Sequence, residues 1–284
     1  MVKIIADTTS GLPGALLASL GIVLIPQIVI FGEQSYRDDT ELDTATFLAK
    51  LRASRQLPKT AAPPPNLYIP HFEEALKNGD EVVVIAPSAK VSGTVNSAEV
   101  AAREFPSLKI HVVDTQTIAG NLATLVLLAH QWVNEGKKAD EIVQRLGEWI
   151  SRSRTYFLVN TLEYLQKGGR IGGAKALLGE LLQVKPILRL GEGQVQPFEQ
   201  QRTKKRAVNR LIEVVEQECP QGDDSHICIL QADAITDAGE LAAVFKEKLG
   251  IADIPIYEMP PAIVVHGGPG ILGVAFFASK SPMV

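Results

Sequence analysis

The chain has 284 residues, 46% hydrophobic and 21% charged, with a formal net charge of -4. Those fractions exclude a disordered or collagen-like chain, and the acidic balance argues against a general nucleic-acid coat. No stretch reaches the roughly 18–20 uninterrupted apolar residues of a membrane-spanning helix.

In chain order, residues 3–6 read as a short strand ending in the polar cluster Asp7-Thr8-Thr9-Ser10, with Pro13 suited to a first helical turn. Residues 21–31, interrupted by Pro26 and Gln27, read as one or two buried strands. Two more aliphatic runs follow, 81–85 and 110–113. The first leads through the small polar stretch 87–94 into an Ala- and Glu-rich helix, and the second stops at Asp114. Short apolar strands each followed by a polar loop and a helix indicate a parallel sheet covered on both faces. Helices at 122–134 and 140–151 complete this half.

The second half reads as a strand at 156–159, a short helix at 161–166 stopped by Lys167-Gly168-Gly169-Arg170, and a Leu-rich helix near 175–182. A hairpin at 186–190 and 194–198 turns at Gly191-Glu192-Gly193. Helices at 203–218 and 236–249 flank a strand at 227–230, and two apolar strands, 262–265 and one running through Phe277, enclose a glycine-rich turn at 266–270. A boundary at 151–154 divides the chain into α/β domains over 1–153 and 154–284. The short distance from Lys3 to Asp7 leaves no apolar signal core. Cys219 and Cys228 suit a reducing compartment. A cytoplasmic protein is expected.

Candidate chemistry gathers at the strand ends, where ligands of open parallel sheets bind. Ser92-Gly93-Thr94 opens a helix, and its backbone N–H groups and two hydroxyls would suit an anion; helix capping by Ser92 or Thr94 explains the same residues. Thr60, before Ala61-Ala62-Pro63, is similarly ambiguous. Lys167 and Gly168 suit a helix stop, but a second glycine followed by Arg170 goes beyond one. The run His266-Gly267-Gly268-Pro269-Gly270 costs chain entropy, which close approach to another element or to a ligand would justify. Arg202, Lys204, Lys205 and Arg206 open a helix against its dipole, either as a solvated basic turn or as a docking point for an acidic partner. His226 and Cys228 lack the second pair of a zinc site, so no metal or cofactor is expected. His71, His111 and His130 stand alone as surface or packing residues.

Several of these pieces recur together in one family. Asp7-Thr8-Thr9-Ser10, Lys59-Thr60, Ser92-Gly93-Thr94, Val113-Asp114-Thr115, Lys167-Gly168-Gly169-Arg170-Ile171, Val184-Lys185-Pro186-Ile187-Leu188, Arg202-Thr203-Lys204-Lys205 and the His266–Gly270 run stand in the order of the DegV family. The chain resembles this family of bacterial fatty-acid-binding proteins over about residues 3–280. The resemblance implies two α/β domains, the N-terminal with a mainly parallel sheet and the C-terminal with a mixed one, and a long-chain fatty acid such as palmitate in a tunnel between them. It implies carboxylate contacts at Thr60 and Ser92 with Gly93 and Thr94 beside them, and head-group support from Arg170 and His266. It further implies a non-catalytic subunit that presents the acid to a partner fatty acid kinase, with no nucleic-acid partner and no stable membrane insertion. Ala61-Ala62, Ala89 and Ala119-Gly120-Asn121 depart from the family's more hydroxyl-rich pattern. The rival reading is a phosphate-handling enzyme with its phosphate at the Ser92-Gly93-Thr94 helix start and His266 as phosphoryl acceptor or general base.

Overall fold

The structure, a computed structural model, describes residues 1–178 and 184–279. The chain divides into two compact units, Met1–Ser151 with Pro260–Ala262, and Arg152–Met259 with Ile263–Val284. The first runs β1 (Val2–Asp7), α1 (Gly14–Ser19), β2 (Val23–Ile25), β3 (Ile28–Phe31), β4 (Gln34–Arg37), α2 (Thr44–Ala53), β5 (Lys59–Ala61), α3 (Ile69–Asn78), β6 (Glu81–Ala86), α4 (Thr94–Ala102), β7 (Ile110–Asp114), α5 (Gly120–Asn134) and α6 (Ala139–Arg152).

Strands β2, β1, β6 and β7 form one sheet in that order, each neighbour parallel. Five of the six residues of β6 are buried, as a strand covered on both faces requires. Ile5, Ile25, Phe72, Val82, Val84 and Ala98 share one core against the helices. The chain winds from β1 outward to β2 on one side and from β6 to β7 on the other. The ends of β1 and β6 therefore meet at a topological switch point, the usual crevice for a ligand.

Residues 21–31 split between two sheets. β2 joins the parallel sheet, while β3 pairs antiparallel with β4 and β5 in a smaller one. The break falls at Pro26, which has no N–H to continue a ladder. Strands β4 and β5 and helices α2 and α3 are additions that the aliphatic-run pattern did not mark.

The second unit runs β8 (Ser153–Leu158), α7 (Glu163–Lys167), β9 (Lys185–Gly191), β10 (Gln194–Gln201), α8 (Lys204–Glu218), β11 (Cys228–Ala232), α9 (Ile235–Leu249), β12 (Ile256–Glu258), α10 (Pro261–Gly267, from Ile263 onward) and β13 (Ile271–Phe277). Its sheet has the order β10-β9-β8-β13-β11-β12, with β11 and β12 parallel and the other pairs antiparallel. The expected mixed α/β architecture, with a parallel first sheet and a mixed second, is the one observed. Helix α8 buries Ala207, Leu211, Val214 and Val215, a stripe at helical spacing that packs with α9 and the sheet. The hairpin turns on Glu192 at φ 50° and Gly193 at φ 77°, the two positive values a tight antiparallel turn demands.

Two expectations change. Residues 262–265 are not a strand but part of α10. A short apolar run reads alike as buried strand or buried helix, and Pro260-Pro261 ahead of it suits a helix start. The Leu-rich helix near 175–182 is replaced, where described, by a 3-10 turn over Gly172–Leu177; residues 179–183 lie outside the described residues. Among the described residues no helix is long and apolar enough to cross a membrane. Cys219 and Cys228 are buried free thiols.

Candidate functional site

At the switch point of the first unit, β1 ends in Asp7, only 1% exposed. Its Oδ1 accepts from the Thr9 backbone N–H at 3.0 Å and from the Thr9 hydroxyl. Its Oδ2 accepts from Gln27 Nε2 at 2.6 Å and from Thr94 Oγ1 at 3.1 Å. Gln27 also donates to Thr94 Oγ1 at 2.8 Å. A second buried carboxyl, Asp38, accepts from Thr8 Oγ1 at 2.7 Å and from the Gln27 backbone N–H at 2.8 Å, and its Oδ2 has no hydrogen-bond partner. Burial pushes the Asp7 carboxyl up to about 6, against the pull of its donors. Burial, aided by the charge of Asp7, pushes Asp38 up to about 7. The Tyr68 hydroxyl, buried without a hydrogen-bond partner, is also held well above its ordinary range by burial and by Asp7.

This network reaches the predicted anion site. Ser92 Oγ lies 2.9 Å from Thr94 Oγ1 and accepts from the Thr94 backbone N–H at 3.3 Å. Thr94 is buried, Ser92 half-buried and Gly93 exposed. A Cβ on Gly93 would stand 3.2 Å from the Ala62 methyl, so the helix start and the segment following β5 are in contact. Thr60 sits on β5 opposite Val29 of β3 and is half-buried. The fold thus brings the Thr60 segment and Ser92-Gly93-Thr94 to one edge. Gln27 and Asp38 were missed, because their partners lie far off in sequence. A glutamine directly after Pro26 inside an apolar run was the available sign of a satisfied buried polar group.

Arg170 and His266 belong to the second unit, and there they meet. Arg170 Nη1 donates to the Gly168 carbonyl at 2.8 Å. A Cβ on Gly168 would stand 2.2 Å from His266 Nδ1, so only glycine lets the ring pack here. Burial, with the Arg170 charge second, pulls the His266 imidazole down to about 4. His266 is therefore neutral at pH 7, and the cationic character of the pair rests on Arg170.

The glycine run after His266 is accounted for by close approach to neighbouring elements. A Cβ on Gly268 (φ 77°) would meet the Tyr164 ring at 2.4 Å, and one on Gly270 (φ 81°) would meet Asn160 Nδ2 at 2.0 Å. Asn160 donates to the Pro269 carbonyl at 3.1 Å, tying the two loops together.

The basic turn is exposed. Thr203 caps α8 by accepting from the Arg206 N–H at 3.2 Å, and Lys204 pairs with Asp237 of α9 at 2.6 Å. His111 is engaged with Asp140 at 2.9 Å and His130 bonds Asn134 at 3.0 Å, in keeping with surface and packing duties.

Comparison with known proteins places this geometry. A family model described as an uncharacterised protein of the DegV family matches residues 1–279. A DegV domain-containing protein of Streptomyces coelicolor is 36% identical over 275 residues, covering 96% of this chain and 97% of its own. A DegV family protein from Thermus thermophilus, described for its fatty acid binding, superposes with a TM-score of 0.89 at 31% identity, over 98% of this chain and 99% of that one. DegV of Bacillus subtilis, described as a fatty acid binding protein, gives 0.87 at 28% identity over the same shares.

Proposed function

The chain belongs to the DegV family, and on that premise we propose that it binds one long-chain fatty acid and presents the carboxylate to a partner kinase. The observation that carries the reading is the meeting of the Thr60 segment with the Ser92-Gly93-Thr94 helix start, in a chain that shares its fold with fatty-acid-binding relatives over nearly its whole length. Thr60 and Ser92 are neutral groups able to hold a carboxylate by hydrogen bonding. Gly93 admits close approach of the ligand to the backbone at the start of α4, and Thr94 acts through Ser92. Burial of about 14 methylenes contributes on the order of 10 kcal/mol, against about 1.5–3 kcal/mol for each hydrogen bond to the charged head. The tail sets affinity and the head group sets orientation. Such a binder needs no nucleophile of its own.

Arg170 and His266 support the step that follows. Transfer of a phosphoryl group to the bound carboxylate gathers negative charge, and the guanidinium of Arg170 is worth more there than in the resting complex. The test is one set of four variants, measured by calorimetric titration of palmitate and by acyl-phosphate formation with a cognate kinase. Thr60→Ala and Ser92→Ala should each lose about tenfold in affinity. Arg170→Ala and His266→Ala should bind within about threefold of wild type and lose turnover. Equal losses of binding in all four would remove the division of roles; wild-type protein that binds no palmitate would remove the reading itself.

A further inference from the structure

The hydroxyl of Thr94 has one proton to donate and two lone pairs, and it has three partners: Gln27 Nε2, Asp7 Oδ2 and Ser92 Oγ. Every valence is used, so the direction of each bond follows from its neighbours. Gln27 Nε2 is a donor. Asp7, when ionised, only accepts, and takes the Thr94 proton. Ser92 is then left to donate inward to Thr94, and its oxygen faces a ligand only as an acceptor. A bound carboxylate, which also only accepts, gains a bond from Ser92 only if the inward bond to Thr94 is given up. When Asp7 Oδ2 carries a proton the chain reverses: Asp7 donates to Thr94, Thr94 to Ser92, and the Ser92 proton is released to point at the ligand.

We infer that Asp7 is a positioning residue that sets Ser92 as donor or acceptor through Thr94, so that binding a fatty-acid carboxylate takes up one proton at Asp7. The inference rests on the proposed fatty-acid site. Among the described residues the titratable groups facing Asp7 are Asp38, on the segment after β4, and Tyr68, at the start of α3. An ionised Asp38 would disfavour a negative charge on Asp7, Tyr68 is a neutral phenol near neutral pH, and neither is a cation that would hold Asp7 ionised. Gln27, Thr9 and Thr94 are neutral. The Asp7 carboxyl, held up to about 6 by burial, is within reach of a proton near neutrality.

The test is calorimetric titration of palmitate into delipidated protein, in buffers of different ionisation enthalpy, at about pH 6 and about pH 8. Wild type should bind about tenfold tighter at the lower pH, the factor one hydrogen bond to a charged group supplies, with proton uptake largest between the two. Asp7→Asn should bind without that uptake. Thr94→Val, which keeps Asp7 and cuts the relay, should also lose it, and should bind more tightly than wild type at about pH 8 because Ser92 has no inward acceptor. A purely structural role for Asp7 would leave the uptake of Thr94→Val intact. Binding without uptake in wild type, or uptake that survives in Asp7→Asn and vanishes in His266→Gln, overturns the relay alone. No binding at either pH overturns the fatty-acid reading beneath it.

Discussion

Asp7 and Asp38 are carboxyls whose charged form the fold disfavours, and this has a consequence for stability. Each is raised in the folded chain, to about 6 and about 7. The folded state therefore holds more protons than the unfolded one at intermediate pH, and stability falls as pH rises through the folded values. The ligand-free protein should gain stability in urea unfolding between about pH 8 and about pH 6, and Asp38→Asn should flatten that limb; a flat wild-type profile would refute the assignment. Below that window His266 acts oppositely. Its value is depressed to about 4, so its contribution is present above the ordinary histidine range and is lost as pH falls through the folded value. Ala119 poses a different residue-scale problem. It sits ahead of α5 at φ 56° and ψ -130°, a conformation suited to glycine. Ala119→Gly should stabilise the protein by about 0.5–1 kcal/mol despite the flexibility gained by the unfolded chain, read from the urea midpoint at unchanged m-value.

Among the elements, the loop between α10 and β13 illustrates how far a sequence can be read. The glycine run signalled close approach, but not to what; the structure answers with Tyr164 and Asn160, about a hundred residues earlier. Gly268→Ala combines a positive φ with an overlap against an aromatic ring, and should cost about 2 kcal/mol or more. A thermal melt indistinguishable from wild type would contradict that packing. Helix α8 behaves in the contrary way. It was read from sequence over 203–218 and stands at Lys204–Glu218 behind a Thr203 cap, because the helix periodicity and capping that set its limits are local. Its exposed cations Arg202, Lys205 and Arg206 stand at the positive end of the helix dipole. Reversing all three to Glu should leave stability equal or slightly raised, by a few tenths of a kcal/mol per charge, and palmitate affinity unchanged. Loss of palmitate binding in that variant would assign the turn to the ligand instead of an acidic partner.

For the whole molecule, a ligand that binds only the folded chain stabilises it by mass action. Palmitate at a hundredfold excess over its Kd should add about 2.7 kcal/mol. Delipidated protein whose Tm fails to respond to palmitate would count against the proposed function at its root. The two units bear on this unequally. The first carries Thr60, Ser92, Gly93 and Thr94, and the second carries Arg170 and His266. Loss of binding in the former set and loss of turnover in the latter would therefore map two activities onto two folding units.

What the sequence determined by itself is what depends on near neighbours: the aliphatic strands of the parallel sheet, the amphipathic helices, the hairpin at Glu192-Gly193 and the order of family motifs. Those signals arise from periodicity, capping and turn chemistry, which act within a few residues. Only the tertiary structure decided that residues 262–265 coil into a helix, that the run over 21–31 divides between two sheets, and that His266 occupies the space a side chain at Gly168 would need. It alone joined Asp7 to Gln27, Thr94 and Ser92. A buried polar group is satisfied by whichever partner the fold brings within about 3 Å, and the Asp7–Thr94 bond spans 87 positions of chain. No local pattern encodes that separation, and the proton relay consequently exists only in the folded protein.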